Sequence, residues 1–243
     1  MRLSPKIYRG RYQFLMDSLP AGPISVLDVG NLGDGDSFCS DLQKEMDARG
    51  GTYSGLDSNV GLTEKLKLPR QVVGDLHAAP FEDETFDAIY AGEIIEHTWT
   101  PALMIQECRR ILKPGGKLIL DTPNAFSLMP MLRYLFKKTD SMGDNRVLVY
   151  HEAKSAFSSL KEKGDILLQP QHKIFFSPAM MRQLLQTQGY VLESVGFTAK
   201  PSNILHRLLL WMFPQTGQHL CVVARKASVD EAFADVADKS IIA

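Results

Sequence analysis

The sequence predicts a doubly wound α/β domain of about seven strands, and three observations carry that expectation. Short apolar runs of strand length alternate with segments of helical period through the first half of the chain, the order that builds a parallel sheet flanked by helices. The first apolar run passes directly into a loop with glycine at positions 30, 33 and 35 that opens a helix. The length, 243 residues with 44% hydrophobic and 23% charged, suits one domain with a sizeable core.

Ile24 to Val29 is the first strand, Gly30 to Gly35 the loop, and Phe38 to Arg49 a helix closed by Gly50-Gly51, a C-terminal stop signal. Thr52 to Leu56, Gln71 to Val73 and Thr85 to Tyr90 follow as strands; the last is apolar enough to be buried. The next helix has Thr100 as its cap and Pro101 in its first turn, and keeps an apolar face through Met104, Ile105, Cys108, Ile111 and Leu112 until Pro114-Gly115-Gly116. Lys117 to Asp121 is the fifth strand. The alternation then lapses, and a mixed stretch of this length is commonly functional, so residues 125–171 are expected to be a helical cap over the sheet's working edge. Ser177-Pro178 starts a helix that stops at Gly189, Tyr190 to Phe197 and His219 to Arg225 are the last strands, and a frayed tail is expected from about 227. All of residues 1–243 are thus assigned to one domain.

Twenty-seven Lys and Arg against 28 Asp and Glu leave a formal charge of −1. No basic excess exists to hold a phosphate backbone, which argues against nucleic acid as the main partner. The three cysteines, Cys39, Cys108 and Cys221, are too far apart for a zinc knuckle and odd in number for a disulfide framework. No two histidines stand at metal-ligand spacing, so no metal site is expected. No secretory leader or membrane span is read, and a cytoplasmic location is expected. The apolar stretch 204–213 leaves core packing, peripheral membrane contact or a subunit interface open, and with it monomer or homodimer.

The chemistry concentrates at Asp28-Val29-Gly30-Asn31-Leu32-Gly33-Asp34-Gly35. Glycines there let backbone N–H groups approach a ligand closely. Asp57 lies 22 residues past Gly35, where an acid grips a ribose diol in dinucleotide-binding folds. The spacing is not G-x-G-x-x-G, and Asp28 would repel a pyrophosphate; an acid at this place suits a cationic nucleoside, S-adenosylmethionine. As structural alternatives, Asp28 is a buried acid satisfied by the loop, Asp57 a turn cap and Asp75 an Asx-turn residue.

These residues resemble the class I S-adenosylmethionine-dependent methyltransferases, Rossmann-like enzymes, of the type with small-molecule acceptors. The resemblance rests on Val26 to Gly30, Gly74-Asp75-Leu76 with Pro80-Phe81 and Phe86-Asp87, Glu93 to His97, and above all Arg110 to Leu118. It continues more loosely through His172 to Lys226. The family's loop reads D-x-G-x-G-x-G; this one is a residue longer. The resemblance implies S-adenosyl-L-methionine as cofactor and S-adenosyl-L-homocysteine as product. Asp28, Gly30, Asn31, Gly33, Gly35, Asp57, Ser58, Asp75, Leu76 and Gly92 would bind it, Asp28 near the ammonium, Asp57 on the ribose and Asp75 on the adenine amino group. His97 would face the acceptor as a base, or else be a polar helix-start residue, and His151 and His172 would line the acceptor pocket. The acceptor is expected to be a small molecule, lipid-linked or glycan-linked. A nicotinamide-dependent oxidoreductase and a non-catalytic nucleoside-binding regulator are the rivals. Tyr134/Lys138 and Tyr150/Lys154 match a Tyr-x-x-x-Lys spacing, so only the loop separates the oxidoreductase from the first reading.

Overall fold

The computed structural model describes residues 5–31, 36–61, 63, 70–127, 174–199, 208, 210, 212–228 and 231. Eight strands form one sheet: β1 (Lys6–Tyr8), β2 (Ser25–Val29), β3 (Thr52–Asp57), β4 (Gln71–Val73), β5 (Phe86–Gly92), β6 (Leu112–Pro123), β7 (Tyr190–Thr198) and β8 (His219–Lys226). Their order is β1-β7-β8-β6-β5-β2-β3-β4, and all run parallel except β8, which is antiparallel to both neighbours. Among the described residues, four α-helices accompany them: α1 (Arg11–Ser18), α2 (Asp36–Ala48), α3 (Pro101–Ile111) and α4 (Pro178–Thr187).

Alternation along the strands sorts the helices onto two faces. Val26, Ala88, Ile119 and Val223 pack with Phe14 and Leu15 of α1 and Leu42 and Met46 of α2. Leu27, Val29, Ile89, Leu118 and Val222 pack with Met104, Ile105 and Cys108 of α3 and Met181 and Leu185 of α4. Strands covered on both sides read as continuous apolar runs, which is why the sequence exposed them so plainly.

Several expectations are corrected. The sheet has eight strands, because Lys6–Tyr8 adds to the edge of β7, pairing Ile7 with Phe197; three residues without an apolar period of their own give no local signal. Helix α1 follows, eight residues that the sequence does not announce. The Thr100 side chain makes no capping hydrogen bond. Helix α3 ends at Ile111, before Pro114, and β6 starts at Leu112. Pro114-Gly115-Gly116 is an irregularity within β6, where the pairing to β5 jumps between Phe86–Leu112 and Ala88–Lys117 and Gly115 takes φ +74°. Elsewhere the signals act as read. The Ser177 side chain accepts from the Met180 N–H at the start of α4, and Gly189, at φ +75°, follows its end.

Gly33, Gly35, His151 and His172 lie outside the described residues, as does the expected cap apart from Ala125, Phe126 and Ser127. Leu210 is buried, whereas Leu208, Met212 and Phe213 are exposed. In the closing stretch the Ala227 N–H donates to the Gly189 carbonyl at 3.1 Å, and Arg225 grips Glu231 at 2.9 and 3.0 Å.

Candidate active site

The chain leaves β2 toward β3, while β5 occupies the other flank of β2. Such a reversal opens a crevice at the carboxyl ends of the strands, the usual ligand position in open α/β sheets. Adjacent strand ends are tied there by backbone hydrogen bonds, from Gly30 N–H to the Leu56 carbonyl at 2.8 Å, Gly74 N–H to Asp57 at 3.0 Å, and Glu93 N–H to Asp121 at 2.8 Å. Asp28, Asp57 and Asp75, with Ser58, Leu76 and Gly92, are thereby brought to one edge.

Asp28 is 1% exposed and accepts a hydrogen bond from the Tyr53 hydroxyl at 3.3 Å. Burial, with Asp28 beside it, pushes the Tyr53 hydroxyl well up and the Cys39 thiol up to about 12, so neither ionises near neutrality. Gly30 has φ +67°, and a Cβ there would lie 2.5 Å from Ile94 Cδ1. Glycine is therefore required where the backbone turns away from β2.

Asn31 points inward. Its Nδ2 donates to Gln71 Oε1 at 2.8 Å and to Tyr53 at 3.0 Å, and its Oδ1 accepts from Gln71 Nε2 at 3.0 Å. This closed amide pair fixes the start of the loop from behind. It fits only because Gly55 has no side chain: a Cβ there would overlap Gln71 Oε1 and come within 2.5 Å of Asn31 Nδ2. Gly55→Ala is expected to cost about 1–3 kcal/mol, read as a lower midpoint in urea unfolding; an unchanged midpoint would show the pair can move aside.

Asp57 ends β3 half-buried, with Oδ1 accepting from the Asn59 N–H at 2.8 Å; Ser58 beside it is exposed. Asp75 follows β4, exposed, and Leu76 is buried. Gly92 ends β5, where a Cβ would overlap the Tyr90 hydroxyl and the Arg11 guanidinium. His97 closes the single-turn helix Ile95–His97, half-buried.

The same edge holds charged residues that sequence reasoning missed. Arg11 Nε donates to Asp121 Oδ1 at 2.6 Å, Tyr90 donates to Asp121 Oδ2 at 2.5 Å, and Arg11 reaches Glu93 at 3.2 Å. His219 Nε2 lies 2.7 Å from Glu93 Oε1, and Glu93 has φ +51°, a strained conformation for a residue with a side chain. Burial raises the Asp121 carboxyl and the Arg11 charge opposes that rise. Glu96 is fully buried and accepts from the Thr122 hydroxyl at 2.9 Å; burial lifts its carboxyl to about 8. One sequence signal existed: Asp121 ends the run Leu118-Ile119-Leu120, so it had to find a cation once buried.

The donor set fits a cationic nucleoside. Carboxylates stand at three neighbouring strand ends, Asp28 buried, Asp57 half-buried and Asp75 exposed, beside the left-handed Gly30, an acceptor set of the kind a cationic nucleoside requires.

Residues 27–120 match the family described as a methyltransferase domain. The malonyl-[acyl-carrier protein] O-methyltransferase 1 of Coxiella burnetii is 32% identical over 120 residues, 49% of this chain and 40% of that protein. The ubiquinone biosynthesis O-methyltransferase of Xanthomonas oryzae pv. oryzae is 41% identical over 78 residues, 30% of each chain. The match thus spans well under half the length of these curated relatives. Among solved structures, an S-adenosylmethionine-dependent methyltransferase from Mesorhizobium loti superposes with a TM-score of 0.55 at 19% identity, covering 87% of this chain and 95% of that one, a likeness of fold. Residues 27–120 are thus similar to a methyltransferase domain, and the sheet has the fold of solved S-adenosylmethionine-dependent methyltransferases.

Proposed function

We propose that this protein transfers the methyl group of S-adenosyl-L-methionine to a small-molecule, lipid-linked or glycan-linked acceptor. The observation that carries the reading is the set of three acids, Asp28, Asp57 and Asp75, on the ends of adjacent strands beside the left-handed Gly30. Two relatives named as O-methyltransferases support an oxygen acceptor. No helix among the described residues is long and apolar enough to cross a membrane.

In this reading Asp28 faces the methionine ammonium, Asp57 the ribose and Asp75 the adenine amino group, with Gly33 and Gly35 completing the loop. Bound S-adenosyl-L-methionine supplies an activated methyl group to an acceptor placed in line with it. The chain's share is placement, which can contribute about 7–11 kcal/mol, against roughly 10²–10⁴-fold for a general base. His97 takes the proton of a hydroxyl acceptor, and residues 125–171, with His151 and His172, cover the acceptor and exclude water.

Calorimetry with S-adenosylhomocysteine and NAD tests the assignment. S-adenosylhomocysteine binds, NAD does not, and Asp57→Ala weakens binding by roughly 10–100-fold, the usual worth of a hydrogen bond to a charged group. Binding of NAD alone refutes the proposal, and binding without turnover over an acceptor panel favours the regulatory rival.

A further inference from the structure

Three side chains form a continuous chain between the loops that follow β4 and β5. His77 Nδ1 lies 2.7 Å from Asp75 Oδ1, and the His77 backbone N–H donates to the same oxygen at 2.9 Å. His77 Nε2 lies 2.7 Å from Thr98 Oγ1, and that oxygen also accepts from the Thr100 N–H at 3.0 Å. Thr98 is buried, directly after the turn that carries His97.

The direction of the protons follows from the groups available. A threonine hydroxyl has one proton and two lone pairs. Asp75, as a carboxylate, can only accept, so His77 Nδ1 carries the proton that faces it; Nε2 of the neutral imidazole then accepts the Thr98 hydroxyl proton, while a Thr98 lone pair takes the Thr100 N–H. Asp75 Oδ1 thus accepts two N–H groups, which fix the orientation of the carboxylate and hold it below the usual range. An ionised carboxylate can only accept. It pairs with an exocyclic amine and repels a carbonyl oxygen.

We infer that His77, oriented by Thr98, is a positioning residue that sets Asp75 to select a 6-amino purine over a 6-oxo purine. The inference rests on the reading in which Asp75 faces the cofactor's base, and it adds the device that fixes the orientation of that acid. A tie that merely braces two loops would affect stability without affecting the choice of base.

Calorimetric affinities of the full chain for S-adenosylhomocysteine and S-inosylhomocysteine separate these cases, because their ratio within one variant is independent of the fraction folded. The wild type is expected to prefer the adenosyl form by about tenfold or more. His77→Ala brings the ratio close to one. His77→Asn, whose amide can still donate to Asp75, retains most of it, and Thr98→Val, which leaves the imidazole free to turn its Nδ1 proton away, gives an intermediate value. An unchanged ratio in His77→Ala, or in Thr98→Val should the first variant fail to fold, overturns the role of His77 while leaving the cofactor reading intact. A wild type that binds both nucleosides equally overturns it too. Failure of the wild type to bind S-adenosylhomocysteine at all overturns it together with that reading.

Discussion

Replacing Arg11 with methionine is expected to lower the unfolding free energy by about 3–5 kcal/mol, the usual cost of removing one partner from a buried ion pair. Asp121 is 0% exposed, Arg11 meets it at 2.6 Å, and Tyr90 already occupies its other oxygen. Without the guanidinium the carboxylate is left charged in a low-dielectric core, or must take up a proton to remain there. Helix α1 cannot escape the cost by lifting away, because Phe14 and Leu15 are fully buried against the sheet. Adding Asp121→Asn to Arg11→Met should recover part of the loss, since the orphaned charge is then gone. Urea unfolding of both single variants and the double variant measures the coupling. Strictly additive losses would show that Arg11 and Asp121 do not depend on one another.

The second large effect is on the pH dependence of stability. Glu96 holds its proton in the folded chain up to about pH 8, whereas its ordinary value is 4.5. Between those values the folded state binds a proton that the unfolded chain has released, so stability falls as pH rises from about 4.5 and levels off above about 8. At about 1.4 kcal/mol for each pH unit, the whole loss is on the order of 5 kcal/mol. Burial is its main cause, and the charges of Glu93 and Asp121 add to it. Glu96→Gln keeps an acceptor for the Thr122 hydroxyl and removes the titration. The difference in unfolding free energy between wild type and Glu96→Gln should therefore grow steadily in favour of the variant from pH 5 to pH 8. A difference that stays flat across that range would place the Glu96 titration outside it.

Both effects arise at the edge that carries the candidate active site. The strained Glu93, the buried Glu96 and the Arg11–Asp121 pair crowd the ends of β5 and β6. Natural folds accept such local cost where function needs fixed charge and geometry.

The parts of this protein whose signals are local can be read from residue order alone. β2 and β5 are largely apolar runs, β3 and β4 short segments between turn residues, and α3 shows its helical period, so each is legible within a few residues of its limits. Asp28, Asp57 and Asp75 were legible as strand-end acids because a parallel sheet brings successive carboxyl ends to one edge. What each polar group meets depends on how the chain closes in space. β1 exists as a strand because β7, more than 180 residues later, offers it an edge. Arg11 finds Asp121 across 110 residues and His77 finds Thr98 across 21. Asn31, read as a cofactor ligand, places its side chain on Gln71 and Tyr53. The physical reason is that periodicity is written in neighbouring residues, whereas a buried charge or amide is satisfied by whichever partner chain closure carries to it.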